Sequence, residues 1–304
     1  MKKLLTIIIL GLTLVSCATS QENLEWTRFT EESVSYLGPE GTYTGQAAML
    51  FFGDDASYHA EKTVSDAVTL MIDGQCNFAV IPQENTVGGP VTAYIEELLS
   101  HDNISVICET ELVIDQALLV KKGTKLSDIT LICSHEQGLL QGKLWLEENL
   151  PLAQTRVVSS TAEGARLASI SDGSVAAVAS AAAADVYGLE VYAPRIQESD
   201  ANRTRFYALS RGEGRKERSD RMLFSAKGNI SDFPKLIKAF GLAKPAAITA
   251  RPLKTKLGEY IWLIELKDSG YDEFLKITMV EGFEFKYYGS FPLIWWKYHI
   301  LLVE

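Results

Sequence analysis

From about Val34 the chain alternates short runs rich in β-branched and aromatic residues with stretches whose apolar positions recur every three to four residues. Ser35-Tyr36-Leu37, Phe78 to Ile81, Ile129 to Cys133, Thr155 to Val158 and Val175 to Val178 read as buried strands. Between them, Thr44 to Phe52, Ser65 to Ile72, Val91 to Leu99, Gln137 to Glu148 and Ala162 to Ile170 read as helices. The alternation predicts an α/β domain with largely parallel strands. Its strand-to-helix loops carry Gly, Pro, Asn, Ser and Thr. In open α/β sheets such carboxyl-end loops are where ligands bind.

Around Gly212 to Asp220 apolar periodicity stops and charge and glycine take over, which predicts a linker. Beyond it, Met222 to Ala226, Phe233 to Phe240, Ala246 to Ala250, Tyr260 to Leu266, Tyr271 to Met279 and Phe283 to Tyr288 read as strand, helix, strand, strand, helix, strand. That order is the ferredoxin-like split unit. The end of the chain, Ile294 to Val303 with Trp295-Trp296, is apolar but too short to span a bilayer, and packing against the small domain or a partner subunit is expected.

The N-terminus differs in kind. Lys2 and Lys3 precede an apolar stretch from Leu4 to Val15, then Ser16 and Cys17, the order of a secretory signal and too short for a spanning helix. Leu14-Val15-Ser16-Cys17 resembles the lipobox of bacterial lipoproteins, which implies acylation of Cys17, a lipid anchor and a place in the cell envelope, on the periplasmic or extracellular face. The alternative is an ordinary cleaved signal. Removing residues 1–16 takes two lysines and no acid, so 29 basic against 39 acidic residues become 27 against 39, a net charge of −12. Such a surface repels nucleic acid and anionic headgroups, so no nucleic-acid partner is expected. With 47% hydrophobic and 22% charged residues, the chain has the composition of a globular protein, not a disordered one.

Cys76, Cys108 and Cys133 lie in apolar contexts and fit no metal spacing, so they read as three buried thiols or as one disulfide with a thiol left over. There is no nucleotide fingerprint and no histidine pair at metal-ligand spacing. No metal or cofactor is expected. His59, His101 and His299 read as surface or core residues.

Five short motifs remain: Gly38-Pro39-Glu40-Gly41-Thr42-Tyr43-Thr44, Ile81-Pro82-Gln83-Glu84-Asn85-Thr86, Ser134-His135-Glu136-Gln137, Ser160-Thr161-Ala162-Glu163 and Asn202-Arg203-Thr204-Arg205-Phe206. The first joins a strand to a helix, so its amides and the Thr42 and Thr44 hydroxyls can face an anion, or Thr42 can simply cap a turn. Asn85 and Thr86 offer short-reach donors and acceptors, and a polar turn would look the same. Ser134 stands at a helix start, where it can be an N-cap with Gln137 and Gln141 on one helix face. Arg205 can grip a substrate carboxylate bidentately or tie parts of the protein together through a buried carboxylate.

As an ordered set, these motifs resemble prephenate dehydratase over about residues 34–211, continuing with weaker motifs through an ACT-type regulatory domain to Pro292. The resemblance implies a two-lobed, periplasmic-binding-protein-like α/β domain followed by a ferredoxin-like (ACT-type) α+β domain. Its layout is a signal and lipobox over 1–17, a tether over 18–32, a dehydratase-like domain over 33–211, a linker over 212–220, an ACT-like domain over 221–292 and a tail over 293–304. It implies conversion of prephenate, a small anionic substrate, to phenylpyruvate with loss of water and carbon dioxide. Thr204 is the implied catalytic residue, and Thr42, Asn85, Thr86, Ser134, Gln141, Thr161 and Arg205 the implied substrate-binding residues. A homodimer or homotetramer is implied as well. Glu136, Gly138 and Gly142 depart from the family's usual residues. His135 lies inside a motif without a role that follows from the sequence.

The family's phenylalanine-binding segments correspond to Ser231-Asp232-Phe233 and Thr249-Ala250-Arg251-Pro252, where both motifs are largely gone, while Gly289-Ser290-Phe291-Pro292 is kept. Phenylalanine is therefore expected to have little effect. Two other readings stand beside the enzyme: an envelope-anchored solute-binding protein on the same two-lobed fold, and an inactive relative used as an interaction module.

Overall fold

A computed structural model of the protein describes residues 32–253 and 256–294. The leader, Cys17, the tether up to residue 31 and the tail from Trp295 lie outside these residues. The chain begins with β1 (Ser33–Leu37), α1 (Tyr43–Phe52), β2 (Ser57–Glu61), α2 (Val64–Ile72), β3 (Phe78–Asn85), the short β4 (Gly89–Pro90), α3 (Thr92–Ser100) and β5 (Ile104–Val113). It then crosses into a second lobe of β6 (Ala117–Val120), β7 (Leu131–Ser134), α4 (Glu136–Gln141), α5 (Lys143–Asn149), β8 (Gln154–Val157), α6 (Thr161–Ser169), β9 (Val175–Ala179), α7 (Ala181–Tyr187) and β10 (Glu190–Ala193). The return strand β11 (Arg203–Arg211) precedes β12 (Ser219–Asn229), α8 (Phe233–Ala239), β13 (Lys244–Pro252), β14 (Glu259–Ser269), α9 (Tyr271–Ile277), β15 (Phe283–Phe291) and β16 (Leu293–Ile294).

Three sheets result. The first lobe has the order β16-β5-β11-β3-β1-β2 with β4 beside β3, the second β10-β6-β9-β7-β8, and the third β13-β14-β12-β15. The expected α/β class with a following ferredoxin-like α+β unit is what is found. The sheets are mixed, however, and not largely parallel. β1 runs parallel to β2 and β3, and β7 to β8 and β9, but β11 is antiparallel to β3 and β5, and β6 to β9 and β10. The cause is the path: β11, returning from the second lobe, is inserted between β3 and β5 and runs against both, so β5 keeps the direction of β3.

Two expected elements need correction. Thr155 to Val158 is not a buried strand: β8 is the edge of its sheet and all four of its residues are exposed. The helix expected over Gln137 to Glu148 is two helices that break at Gly142, where an added Cβ would stand 3.0 Å from Ile196 Cδ1. Cys76, Cys108 and Cys133 are all free and buried, and they serve as small core residues.

Alternation along β12 divides the third sheet's faces. Met222, Phe224 and Ala226 pack with Trp262 and Ile264 under α8 and α9, while Leu223, with Leu263, Tyr288 and Phe291, joins the core of the first lobe around Val106, Tyr207 and Leu209. The third sheet is thus bolted to the lobe that carries β11. Leu293 and Ile294 pair with Glu109 and Thr110 of β5, while the rest of the apolar end, expected to pack against the small domain or a partner subunit, lies outside the described residues.

Candidate active site

The two crossings between the lobes, residues 114–116 and 194–202, are laced together. Gln116 N donates to Gln197 Oε1 at 2.9 Å, Ile196 N to the Gln116 carbonyl at 2.7 Å, and Ile114 N to the Asn202 carbonyl at 2.9 Å. They floor a cleft of about 220 Å³ whose walls are the loops after β1, β3, β7 and β8. Helices α1 and α6 begin at its rim. Thr42 Oγ1 accepts from Gly45 N at 3.3 Å and Ser160 Oγ from Glu163 N at 3.0 Å, so each helix is capped and turns its positively polarised end toward the cleft, where Thr44 and Thr161 line it. No lysine or arginine lines this cleft among the described residues. What it can offer an anion is backbone dipoles and uncharged donors.

Thr204 lies on β11 beside Asn85 at the end of β3, paired in register. Asn85 Nδ2 donates to Thr204 Oγ1 at 2.8 Å and to Asn202 Oδ1 at 2.7 Å. The amide cannot turn over, because Asn85 Oδ1 accepts two backbone donors, Val87 N and Gly88 N, each at 2.9 Å. Since Thr204 Oγ1 is occupied as an acceptor, its own hydrogen is left for the cleft. Gln137 Nε2 reaches Asn85 Oδ1 across the cleft at 3.2 Å and links α4 of the second lobe to β3 of the first.

The sequence-derived residues separate by strand and helix geometry. Thr42, Asn85, Thr161 and Thr204 line the cleft. Ser134 does not reach it: fully buried, it donates to the Val178 carbonyl at 2.5 Å and ties β7 to β9 beneath α4. Nor is Ser134 the cap of α4, a place taken by His135, whose Nδ1 accepts from Gln137 N at 3.3 Å. Gly138 explains one departure from the family, because a Cβ there would stand 2.5 Å from Ser134 Oγ. Gln141 stands behind Gln116, accepting its Nε2 at 3.0 Å, and Gln116 is the residue at the cleft. Thr86 is a backbone clamp that accepts from Arg203 N at 3.0 Å and donates to the Ala201 carbonyl at 2.7 Å, outside the lining.

Arg205 is the clearest correction. Successive side chains of a strand point to opposite faces, so with Thr204 and Phe206 in the cleft, Arg205 must point away. It grips Glu109 through two 2.7 Å contacts, reaches Glu84 at 3.1 Å and meets both oxygens of Glu265 of β14 at 2.7 Å. Tyr207 donates to Glu265 Oε2 at 2.7 Å, and Arg221 stands 2.8 Å from Glu265 Oε1. Of the two readings of Arg205, the tie through buried carboxylates is the one built. Burial pushes Glu109 up to about 7, the paired Arg205 opposing that shift and Glu265 adding to it.

Sequence reasoning gave no role to Gln116 and Asn202, which line the cleft from the crossings, nor to Tyr43 and Ser159. Tyr43 donates to the Asp115 carbonyl and so pins α1 to a crossing, and burial holds its hydroxyl well above the usual tyrosine range. No group of three or more His, Cys, Asp or Glu side chains that could hold a metal occurs among the described residues.

Known proteins resemble this chain in sequence and in fold. The family model described as prephenate dehydratase matches residues 34–214. The chain is 32% identical over 271 residues to the bifunctional chorismate mutase/prephenate dehydratase of Aquifex aeolicus, covering 85% of this chain and 73% of that protein. It is 32% identical to the prephenate dehydratase of Lactococcus lactis, covering 78% of this chain and 87% of that one. Among solved structures, the prephenate dehydratase of Arthrobacter aurescens in complex with L-Phe superposes with a TM-score of 0.75 at 26% identity, covering 86% of this chain and 89% of that one. GqqA, described as a novel type of quorum quenching acylase, also reaches a TM-score of 0.75, covering 86% and 98% of the two chains. At 18% identity, that likeness concerns the fold alone.

Proposed function

The chain belongs to the prephenate dehydratase family, and from that membership we propose that it turns prephenate into phenylpyruvate in the inter-lobe cleft, with Thr204 as the catalytic hydroxyl. The observation that carries this reading is the Asn85–Thr204 hydrogen bond at 2.8 Å, which leaves a hydroxyl hydrogen for the substrate. In the reaction, the bond to the ring carboxylate breaks and releases carbon dioxide. Its electron pair enters the ring as the carbon–oxygen bond to the ring hydroxyl breaks, and that oxygen takes up a proton and leaves as water. Thr204 donates a hydrogen bond to the departing oxygen, where negative charge develops, and aromatisation supplies the driving force. The α1 and α6 starts face the side-chain carboxylate, whose charge the reaction leaves unchanged. Asn85 acts as the residue that orients Thr204, with Gln116 and Gln137 completing the wall.

The same proposal extends to place and control. The Leu14-Val15-Ser16-Cys17 sequence supports export and lipid anchoring through Cys17, with the enzyme on the outer face of a membrane. The third sheet keeps the ferredoxin-like order, but Arg251 of β13 is spent on Glu96 of α3 at 2.7 Å. With the altered Ser231-Asp232-Phe233 segment, this supports an ACT-like domain that has lost its response to phenylalanine. A homo-oligomer is part of the proposal on family grounds.

The deciding experiment is phenylpyruvate formation from prephenate, followed by the product's absorbance in alkali, for the chain beginning at Cys17 and for its Thr204→Ala variant. Turnover that disappears in the variant is expected. A folded chain with no turnover overturns the reading in favour of solute capture.

A further inference from the structure

His135 belongs to a motif yet has no assigned task, and its surroundings give it one. It lines the same cleft as Thr204, on the opposite lobe. Tyr43 is the one other ionisable side chain of the lining among the described residues, and its hydroxyl is already donated to the Asp115 carbonyl. His135 is therefore the one lining side chain that offers a nitrogen donor of the imidazole kind. Its tautomer is set locally: Nδ1 accepts from Gln137 N at 3.3 Å, so the ring proton sits on Nε2. No carboxylate lines the cavity beside it, and the adjacent acid, Glu136, is exposed and outside the lining.

Resting on the dehydratase reading, we propose that His135 is a substrate-binding residue whose Nε2–H donates to the carboxylate that the substrate retains. The choice of carboxylate follows from the chemistry. A donor on the ring carboxylate would stabilise the charge that must be given up as carbon dioxide leaves, and so would oppose the reaction. A donor on the side-chain carboxylate, whose charge is unchanged throughout, binds ground state and transition state alike. Such uniform binding lowers KM and leaves kcat nearly alone. The cap gives the residue a second effect: Gln137, held through its backbone by Nδ1, is also the residue that crosses the cleft to Asn85.

The test separates the cap from the carboxylate. Asparagine is among the best N-caps, so His135→Asn keeps α4 capped while its shorter side chain gives up the Nε2 reach. In His135→Asn the melting temperature should stay near that of the parent, KM for prephenate should rise at least about tenfold and kcat should change by no more than a few-fold, a charge-assisted hydrogen bond being the interaction lost. Prephenate binding by calorimetry to Thr204→Ala and to Thr204→Ala with His135→Asn should show the same loss without turnover. A His135→Asn enzyme with parental KM and parental affinity overturns the proposal and leaves His135 as a cap. A fall in kcat at unchanged KM overturns it as well. Failure of the parent chain to turn over prephenate is a different result: it removes the dehydratase reading, whereas the proposal about His135 fails on the variant alone.

Discussion

Asn85 donates its side-chain amide to the Thr204 hydroxyl at 2.8 Å while two backbone amides hold its oxygen, so a residue on β3 sets the direction in which a residue on β11 offers its proton. Thr204→Ala should lower kcat by roughly a hundredfold or more, the usual cost of removing a donor to developing charge. Thr204→Ser should retain much of the rate. Asn85→Ala should lower kcat about tenfold or more with a smaller change in KM, because Thr204 is misdirected rather than removed. Steady-state kinetics on prephenate decide each case.

Arg205 and Glu265 make the opposite kind of pair, structural rather than chemical. Glu265 is 1% exposed and meets the guanidinium with both oxygens at 2.7 Å. Arg205→Met leaves Glu109 and Glu265 buried with one cation fewer, and should destabilise the fold by about 3–5 kcal/mol in urea unfolding. KM of the folded fraction should move little. A large rise in KM with parental stability would restore the substrate contact that the geometry denies.

Glu109 supplies a pH dependence. Burial raises it from the ordinary 4.5 to about 7, so the folded state binds its proton more tightly than the unfolded state does. The stability it contributes is complete below about pH 4.5 and is lost as pH rises through about 7. Melting temperatures measured from pH 5 to pH 8 should therefore carry a downward slope from this residue, and Glu109→Gln should flatten that slope even though its absolute stability is lower.

Gly138 lies against Ser134 with no room for a methyl group, a Cβ meeting Oγ at 2.5 Å. Gly138→Ala should cost about 1–3 kcal/mol by overpacking and disturb the wall that carries Gln137. Adding Ser134→Ala, which removes the offending oxygen, should recover most of the loss. A thermal-melt comparison of the two singles and the double measures the coupling.

The proposed loss of feedback is tested by adding L-phenylalanine to the turnover assay and to a thermal melt. Neither rate nor melting temperature should respond. Clear inhibition or stabilisation by phenylalanine would show that the altered Ser231-Asp232-Phe233 and Thr249-Ala250-Arg251-Pro252 segments still bind it.

Much of this protein is determined locally. Apolar periodicity sufficed for α1, α2, α3, α6 and the ferredoxin-like unit, because each buries a continuous face that the sequence itself displays. The ordered motifs sufficed for the family, and they brought Thr42, Asn85, Thr161 and Thr204 to one cleft. Tertiary structure decided the rest where a side chain's role depends on what stands opposite. β5 and β11 escaped the pattern because Glu109, Glu111, Arg203 and Arg205 interrupt their apolar runs, and only strand pairing shows those charges meeting one another. Arg205 faces away from the cleft because its strand neighbours face in, Ser134 is sealed beneath Gly138, and Gln116 is delivered by a crossing that has no motif. A sequence records which groups are available along one dimension; which of them share a desolvated space is set by long-range pairing.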